Sequence, residues 1–304
     1  MKLIFAGTPT NAAQALERLA RHHEVVLAIT RPDAQVGRSR ELRQSPVAEA
    51  AGRLGIRVLK TNRFDDSQIE TIESAKADLA IVIAFGAIIS ERALKILPWW
   101  NIHFSLLPKW RGASPLQMSM VTGEASGISI FQIDSGLDTG PIIRQHPIEF
   151  LAGETSGAAL ERFTTQAIDV LLEVLQSEVR LQPQQGEPTY AGKINRQKAR
   201  ISFDLTAQEI DRRVRAYYPE PIAWTESQAG ELRILRGLPL GNVNWEKFED
   251  KSRELGTVIF DSQKVSVVCG SGTHYELLEV QPAGKKPMSA ADWFRGQRGG
   301  IRFE

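Results

Sequence analysis

The sequence predicts an α/β domain built on a parallel sheet, followed by a smaller, mostly β domain. Three observations carry this expectation. Short, wholly apolar runs alternate with helix-period segments through the first half of the chain, the pattern of a sheet covered on both faces. Apolar content then drops over residues 181–200, where Gln182-Pro183-Gln184-Gln185-Gly186-Glu187-Pro188 reads as a linker. Beyond it, short strand-like runs recur. A length of 304 residues agrees, because domains run to about 100–200 residues each.

Taken in order, Leu3-Ile4-Phe5-Ala6 is a buried strand that ends at Gly7-Thr8-Pro9, and residues 11–19 have helical spacing through Ala12, Ala15, Leu16 and Leu19. Val25-Val26-Leu27-Ala28-Ile29 is a second strand. A charged loop over residues 31–44 follows, and Pro46 opens a helix that reaches Leu54. Val58-Leu59 is a short strand. Leu79-Ala80-Ile81-Val82-Ile83-Ala84 is another buried strand, and Asn101-Ile102-His103-Phe104 is short and extended. Two strand-like runs, residues 128–133 and 142–145, flank a turn-rich stretch and read as a hairpin beside the sheet. An amphipathic helix spans residues 156–175, with Leu160, Phe163, Ala167, Ile168, Leu171, Leu172 and Leu175 on one face. After the linker, residues 207–216 are helical, and strands are expected at 232–235, 257–260, 265–268 and 275–280. This second domain fits a barrel or a sandwich, since closure removes exposed edges. The expected boundaries are residues 1–180, a linker at 181–202, and residues 203–304.

Composition narrows the class. Hydrophobic residues make up 42% and charged residues 24%, which excludes a disordered chain. No run of about 18 apolar residues occurs, so no membrane span is expected. The apolar run at the N-terminus is too short for a secretory signal. With no targeting segment, a cytoplasmic location is expected. The single Cys269 allows no intrachain disulfide and leaves no thiolate cluster, and it reads as a buried thiol. His22, His23 and His274 lack metal-like spacing, so no metal is expected. A net charge of +1 gives no global signal for nucleic acid, and any such surface has to be local.

No G-x-G-x-x-G follows the first strand, and neither a Walker A sequence nor a G-x-S-x-G elbow occurs. Gly7-Thr8-Pro9 stands where anions bind between strand and helix, but a plain turn is the preferred reading. The densest polar constellation is Asn101-Ile102-His103-Phe104-Ser105-Leu106-Leu107-Pro108, followed by Lys109-Trp110-Arg111-Gly112. Two residues apart on an extended segment, Asn101 and His103 project from one face, near the strand end where open α/β sheets bind ligands. An amide beside an imidazole suits oxyanion stabilisation and proton movement. The alternative is a turn-forming asparagine and a satisfied core histidine. In Gly136-Leu137-Asp138-Thr139-Gly140, the aspartate either ends a loop or orients an imidazole.

These stretches together resemble the folate-dependent formyltransferases and, from end to end, the methionyl-tRNA formyltransferase family. The resemblance rests on Phe5-Ala6-Gly7-Thr8-Pro9, on residues 101–108, on Trp110-Arg111-Gly112-Ala113 and on residues 136–140. It continues in Tyr190-Ala191-Gly192-Lys193-Ile194 and in residues 278–289, whose Gln-Pro-Ala-Gly-Lys-Lys stretch is the most specific to the tRNA enzymes. The resemblance implies a Rossmann-like N-terminal formyltransferase domain and a C-terminal β-barrel related to the OB fold. It implies 10-formyltetrahydrofolate as formyl donor, with the α-amino group of methionyl-initiator-tRNA as acceptor and N-formylmethionyl-tRNA for translation initiation as product. The implied catalytic residues are Asn101, His103 and Asp138, and the implied folate loop is Ser105, Leu106, Leu107 and Pro108. The expected partners are initiator Met-tRNA and folate, with no membrane and no second subunit.

Basic residues cluster locally, and phosphate contacts would draw on them. Each cluster taken alone reads first as a solvated face. The resemblance singles out Gly37 and Arg38 in the basic loop, with Arg40, and then Lys193, Lys285 and Lys286. Relatives commonly continue the loop with Gly-Lys-Lys, whereas this chain has Ser39-Arg40-Glu41, so one positive charge is kept and another is reversed. Competing readings are a formyltransferase acting on an amino sugar nucleotide, a glycinamide ribonucleotide enzyme, a formyltetrahydrofolate hydrolase and a non-catalytic RNA-binding protein. The second domain and the basic loop favour tRNA over the sugar. The second domain also weighs against the shorter glycinamide enzymes, and a hydrolase would carry a further domain ahead of the first strand. The intact Asn101, His103 and Asp138 weigh against a non-catalytic protein.

Overall fold

A computed structural model describes residues 1–36, 41–240, 254–297 and 300–304, with the backbone alone at Val36. The chain divides into two compact units. One comprises residues 1–116, 125–149 and 160–191, and the other residues 117–124, 150–159 and 192–304.

The first unit begins with β1 (Lys2–Gly7), α1 (Thr10–Leu19) and β2 (Glu24–Thr30). A small antiparallel pair follows, β3 (Ala34–Val36) with β4 (Glu41–Arg43), within the stretch expected to be a loop. Then come α2 (Pro46–Arg53), β5 (Val58–Lys60), α3 (Asp66–Ser74), β6 (Leu79–Ile83), α4 (Glu91–Leu94) and β7 (Trp99–His103). After the two-residue β8 (Arg111–Gly112) and α5 (Pro115–Thr122) the chain forms β9 (Gly127–Gln132), β10 (Ile142–Pro147), α6 (Ser156–Val174) and the two-residue β11 (Tyr190–Ala191).

The principal sheet has seven strands in the order β10-β9-β7-β6-β1-β2-β5. Five of them, β7 to β5 along that order, run parallel. β9 pairs antiparallel with both β7 and β10. The two runs expected as a hairpin beside the sheet are therefore strands of the sheet itself. In β9, Ile128, Ile130 and Phe131 are as buried as the residues of the parallel strands, whereas β10 is exposed beyond Ile143.

Strand alternation divides the apolar residues between two covered faces. Ile4, Ala6, Leu27, Ile29, Ala80, Val82 and Trp99 join Ile69 and Ile72 of α3 and Ala93 of α4 in one cluster. Their neighbours Leu3, Phe5, Ala28 and Ile81 point the other way and are equally buried. α1 packs on α2, and Asn11 of α1 hydrogen bonds Thr164 of α6. Local signals begin these helices. Ser45 caps α2 by accepting from Ala48 N, with Pro46 at the first turn, and Asp65 and Gln68 form a capping box on α3.

In the second unit, α7 (Ala207–Ala216) starts at a Thr206–Glu209 capping box. It precedes β12 (Ala223–Ser227), β13 (Gly230–Leu240), β14 (Val258–Asp261), β15 (Lys264–Val268), β16 (His274–Pro282), β17 (Met288–Ser289) and α8 (Ala290–Arg295). These strands form an antiparallel sheet in the order β12-β13-β16-β15-β14, with β17 on β16. Both edges are met by the C-terminal residues: Phe303 bridges Ser227 at the end of β12, and Arg302 bridges Thr257 ahead of β14. These bridges cover part of each open edge. Cys269 is buried here, and burial pushes its thiol up to about 12, which leaves it inert at neutral pH. No described helix is long and apolar enough to cross a membrane.

Trp99 anchors the strand that carries Asn101 and His103. It is 1% exposed, meets Phe64 edge-on with ring centroids 6.2 Å apart, and donates its indole N–H to Ala93 O at 2.9 Å. Trp99→Ala is expected to destabilise the protein by about 3–5 kcal/mol in urea denaturation, the usual effect of deleting a large buried aromatic.

Candidate active site

Asn101 and His103 lie in the last three residues of β7, so the pleat places them on one side, as their spacing predicts. In register, Asn101 faces Phe131 and His103 faces Ser129 of β9. The Asn101 side chain is half-buried, and its amide makes no hydrogen bond to another described residue. His103 is 5% exposed. Its Nε2 lies 2.9 Å from Trp110 O, and a carbonyl only accepts, so Nε2 carries the proton. Nδ1 stands 3.7 Å from Asp138 Oδ2, within ion-pair reach but beyond a hydrogen bond. Phe131 meets the ring edge-on, with centroids 6.3 Å apart.

Asp138 is held by the backbone opposite. Its Oδ2 accepts the Gly112 N–H at 2.7 Å. The loop that presents it is built tightly: Asp134 Oδ1 accepts from Gly136 N and from the Thr139 hydroxyl. A Cβ at Gly140 would come within 1.8 Å of Gln132 O, so only glycine fits there. Asp138 and Trp110 both have positive φ, 52° and 61°. Gly112 has φ of 116°, and a Cβ there would lie 2.7 Å from Ala191 O.

Burial holds the His103 imidazole below the ordinary histidine range. The Asp138 carboxylate and the Trp110 carbonyl pull the other way by favouring the charged form. The dyad of His103 and Asp138 is thus assembled around a neutral ring whose protonated form has a carboxylate waiting at Nδ1. Both nitrogens face protein groups.

The loop of Ser105, Leu106, Leu107 and Pro108 is shaped from beneath. Ser129, fully buried, donates to Ser105 O at 2.7 Å and accepts from Leu107 N at 2.9 Å. Gln145 Nε2 donates to Leu107 O and to the Ser129 hydroxyl. Ser105 Oγ donates to Lys109 O at 2.6 Å, and Leu107 packs with Phe131 and Ile142. Leu106 alone of the four is half-buried rather than buried.

Residues 182–191 brace the same site. Ile142 and Gln182 exchange backbone hydrogen bonds, Thr189 Oγ1 accepts from Trp110 N, and β11 pairs with β8. The compact first unit accordingly reaches Ala191, where hydropathy suggests a spacer starting at 181. The segment packs through amide groups rather than apolar side chains, and hydropathy is blind to those. Ser129 carries a faint sequence signal, a polar residue inside an apolar run. Gln145 and Gln184 carry none.

At the turn after β1, the Thr8 hydroxyl donates to Phe85 O, which suits a structural turn. Lys193, Lys285 and Lys286 are exposed in the second unit. Gly37, Arg38 and Arg40 lie outside the described residues. Among the described residues no group of three or more His, Cys, Asp or Glu side chains is placed to hold a metal.

With this geometry in place, comparison with known proteins is decisive. Residues 1–175 match the formyl transferase family model, and residues 193–298 match the model of the formyl transferase C-terminal domain. The methionyl-tRNA formyltransferase of Clavibacter sepedonicus is 40% identical over 305 residues, which covers 97% of each chain. The chain belongs to the methionyl-tRNA formyltransferase family. A second member, from Streptomyces coelicolor, is 40% identical over 98% of this chain and 97% of its own. Solved structures share the fold at lower identity. An N-formyltransferase from Helicobacter canadensis, in complex with folinic acid and dTDP-3-aminofucose, matches with a TM-score of 0.65 and 18% identity over 91% of this chain and 98% of that one. HypX from Aquifex aeolicus, in complex with tetrahydrofolic acid, matches with a TM-score of 0.64 and 16% identity over 96% of this chain and 46% of that one.

Family membership makes the chain a formyltransferase with a parallel α/β domain and an antiparallel C-terminal domain.

One measurable consequence concerns stability. His103 and His274 are both buried, and burial lowers both below the ordinary value of 6.5. The unfolded chain then binds more protons than the native one below that value. Their contribution to stability is complete above pH 6.5 and is lost as pH falls through their lower native values. The thermal midpoint is expected to drop between pH 7.5 and pH 5, and His103→Gln should flatten part of that drop.

Proposed function

We propose that this formyltransferase transfers the formyl group of 10-formyltetrahydrofolate to the α-amino group of methionyl-initiator-tRNA. The observation that carries the reading is the pairing of an unengaged Asn101 amide with the His103–Asp138 dyad at the end of β7. Relatives sharing 40% of their residues over nearly the whole chain support the acceptor.

The residues present fit a formyl donor. An acyl oxygen that gains charge needs an N–H donor, which Asn101 offers, and a departing amine nitrogen needs a proton, which the imidazole carries on Nε2. The loop of Ser105 to Pro108, propped by Ser129 and Gln145, would hold the folate through its backbone and the half-buried Leu106 side chain. When bound, the folate supplies an electrophilic formyl carbon.

In the mechanism, the methionyl amine adds to that carbon and the Asn101 amide stabilises the resulting oxyanion. Charge developing nearby favours the imidazolium, which Asp138 stabilises at Nδ1. As the bond from the formyl carbon to the folate nitrogen breaks, Nε2, having exchanged the Trp110 carbonyl for the substrate, would give its proton to that departing nitrogen, and the proton lost by the attacking amine would return to the ring. No covalent enzyme intermediate is required, because the amine is itself the nucleophile. Lys193, Lys285 and Lys286, with Gly37, Arg38 and Arg40 of the basic loop, are proposed to meet the tRNA backbone, where they would act as salt-dependent phosphate contacts. We further propose that the protein works as a cytoplasmic monomer.

The test is formylation of charged initiator Met-tRNA with 10-formyltetrahydrofolate as donor. Asn101→Ala and His103→Ala are each expected to lower kcat about 100–1000-fold with the fold retained by circular dichroism. Near-normal turnover in a folded His103→Ala protein would sink the assignment. Formylation of an amino sugar nucleotide in place of Met-tRNA would transfer the reading to the sugar enzymes. Arg38→Ala is expected to raise the apparent KM for Met-tRNA, and the fold-increase should shrink as salt is raised.

A further inference from the structure

Gln184 sits in the Pro- and Gln-rich stretch that hydropathy assigns to a linker. Its amide nevertheless fills all four of its hydrogen-bonding positions. Nε2 donates to Asp138 O and to Gly140 O, both at 2.8 Å. Oε1 accepts from Arg111 Nε at 3.2 Å and from Arg111 Nη2 at 2.7 Å. Carbonyls only accept and a guanidinium only donates, so the orientation of the amide follows from its partners. Of its three partners, Asp138 belongs to the dyad and Arg111 and Gly140 stand beside it. Arg111 stands between Trp110, whose carbonyl takes the His103 proton, and Gly112, whose N–H holds the Asp138 carboxylate. Asp138 and Gly140 are the loop itself.

We infer that Gln184 is a positioning residue for the reaction. It clamps the Asp138 loop to the Arg111 strand so that the carboxylate stays on the imidazole. The inference rests on the proposed role of His103 and Asp138. The Asp138 carboxylate has a direct tie to the strand at Gly112 N, but its own backbone is in the left-handed region and is held there from outside. Gln184 supplies two of those outside holds, to Asp138 O and Gly140 O. No ionisable group besides Asp138 is described against His103, so movement of that one carboxylate is legible in the titration of the ring.

Two variants separate the parts of the clamp. Gln184→Glu keeps an acceptor for Arg111 but has no N–H for the Asp138 loop. Gln184→Met keeps the length of the side chain and removes every hydrogen bond without adding charge. Both are expected to lower kcat about 10–100-fold, the usual range for losing a group that orients a reacting residue, while each KM stays within about threefold. NMR of the His103 imidazole in the full-length protein gives the second readout. In Gln184→Met the ring is expected to titrate at lower pH than in the wild type, because the carboxylate recedes. Asp138→Asn should shift it in the same direction, and the double variant should go no further. Wild-type kcat in Gln184→Glu, or an unmoved His103 titration in Gln184→Met, overturns the clamp while leaving the dyad standing. An unmoved titration in Asp138→Asn removes the dyad, and the clamp with it.

Discussion

Burying an imidazole is costly unless its polar atoms face compensating groups, and that cost organises this site. His103 is almost fully enclosed, so Nε2 and Nδ1 cannot both rely on water. Trp110 O answers one and Asp138 stands at the other. Neither lies on the strand that carries the histidine. To reach it, the backbone takes the left-handed region at Trp110 and at Asp138, at a cost of about 1–3 kcal/mol per residue. Such conformations persist only where their surroundings over-determine them. Here Thr189, Gln184 and the pairing of β11 with β8 do so.

The sheet decides where this arrangement stands. β7 lies where five parallel strands give way to two antiparallel ones. Trp99 fixes its entry, and His103 is its last residue. Below, Ser129 of β9 is placed by register opposite His103 and turns its hydroxyl to the loop beyond the strand end. The same strand pairing therefore sets the histidine and shapes the loop of Ser105 to Pro108. Rigid elements supply the precision, and the reacting groups occupy their ends, as is usual for open α/β sheets.

The second unit solves a different problem. An antiparallel sheet exposes two edges, and here the C-terminal residues bridge to both. Lys285 and Lys286 lie exposed in the turn between β16 and β17. A net charge of +1 conceals such local arrangements, because it sums over surfaces that a partner would meet one at a time.

Much of the fold is legible in the residue order because local periodicity reports burial. The spans of α1, α2, α6 and α7 follow from apolar spacing and caps to within a residue or so. Strands β1, β2 and β6 follow from unbroken apolar runs. The shared face of Asn101 and His103 follows from strand alternation alone. Spacing could not bring Asp138 to His103, 35 positions away, nor join residues 128–133 and 142–145 to the main sheet. The helices α3, α4 and α5 carry too little apolar contrast to be read. Gln184 lay furthest from reach. It works through four directional hydrogen bonds to remote segments, and a hydropathy pattern records how much water a residue avoids, not which carbonyl its amide will find. The sequence by itself determined the layers, the strand that bears the site and two of its side chains. Spacing and hydropathy left open which carboxylate meets the imidazole, and only the family resemblance named Asp138. Tertiary structure decided the contact itself and which residues hold it, because it depends on backbone conformations that only the assembled fold enforces.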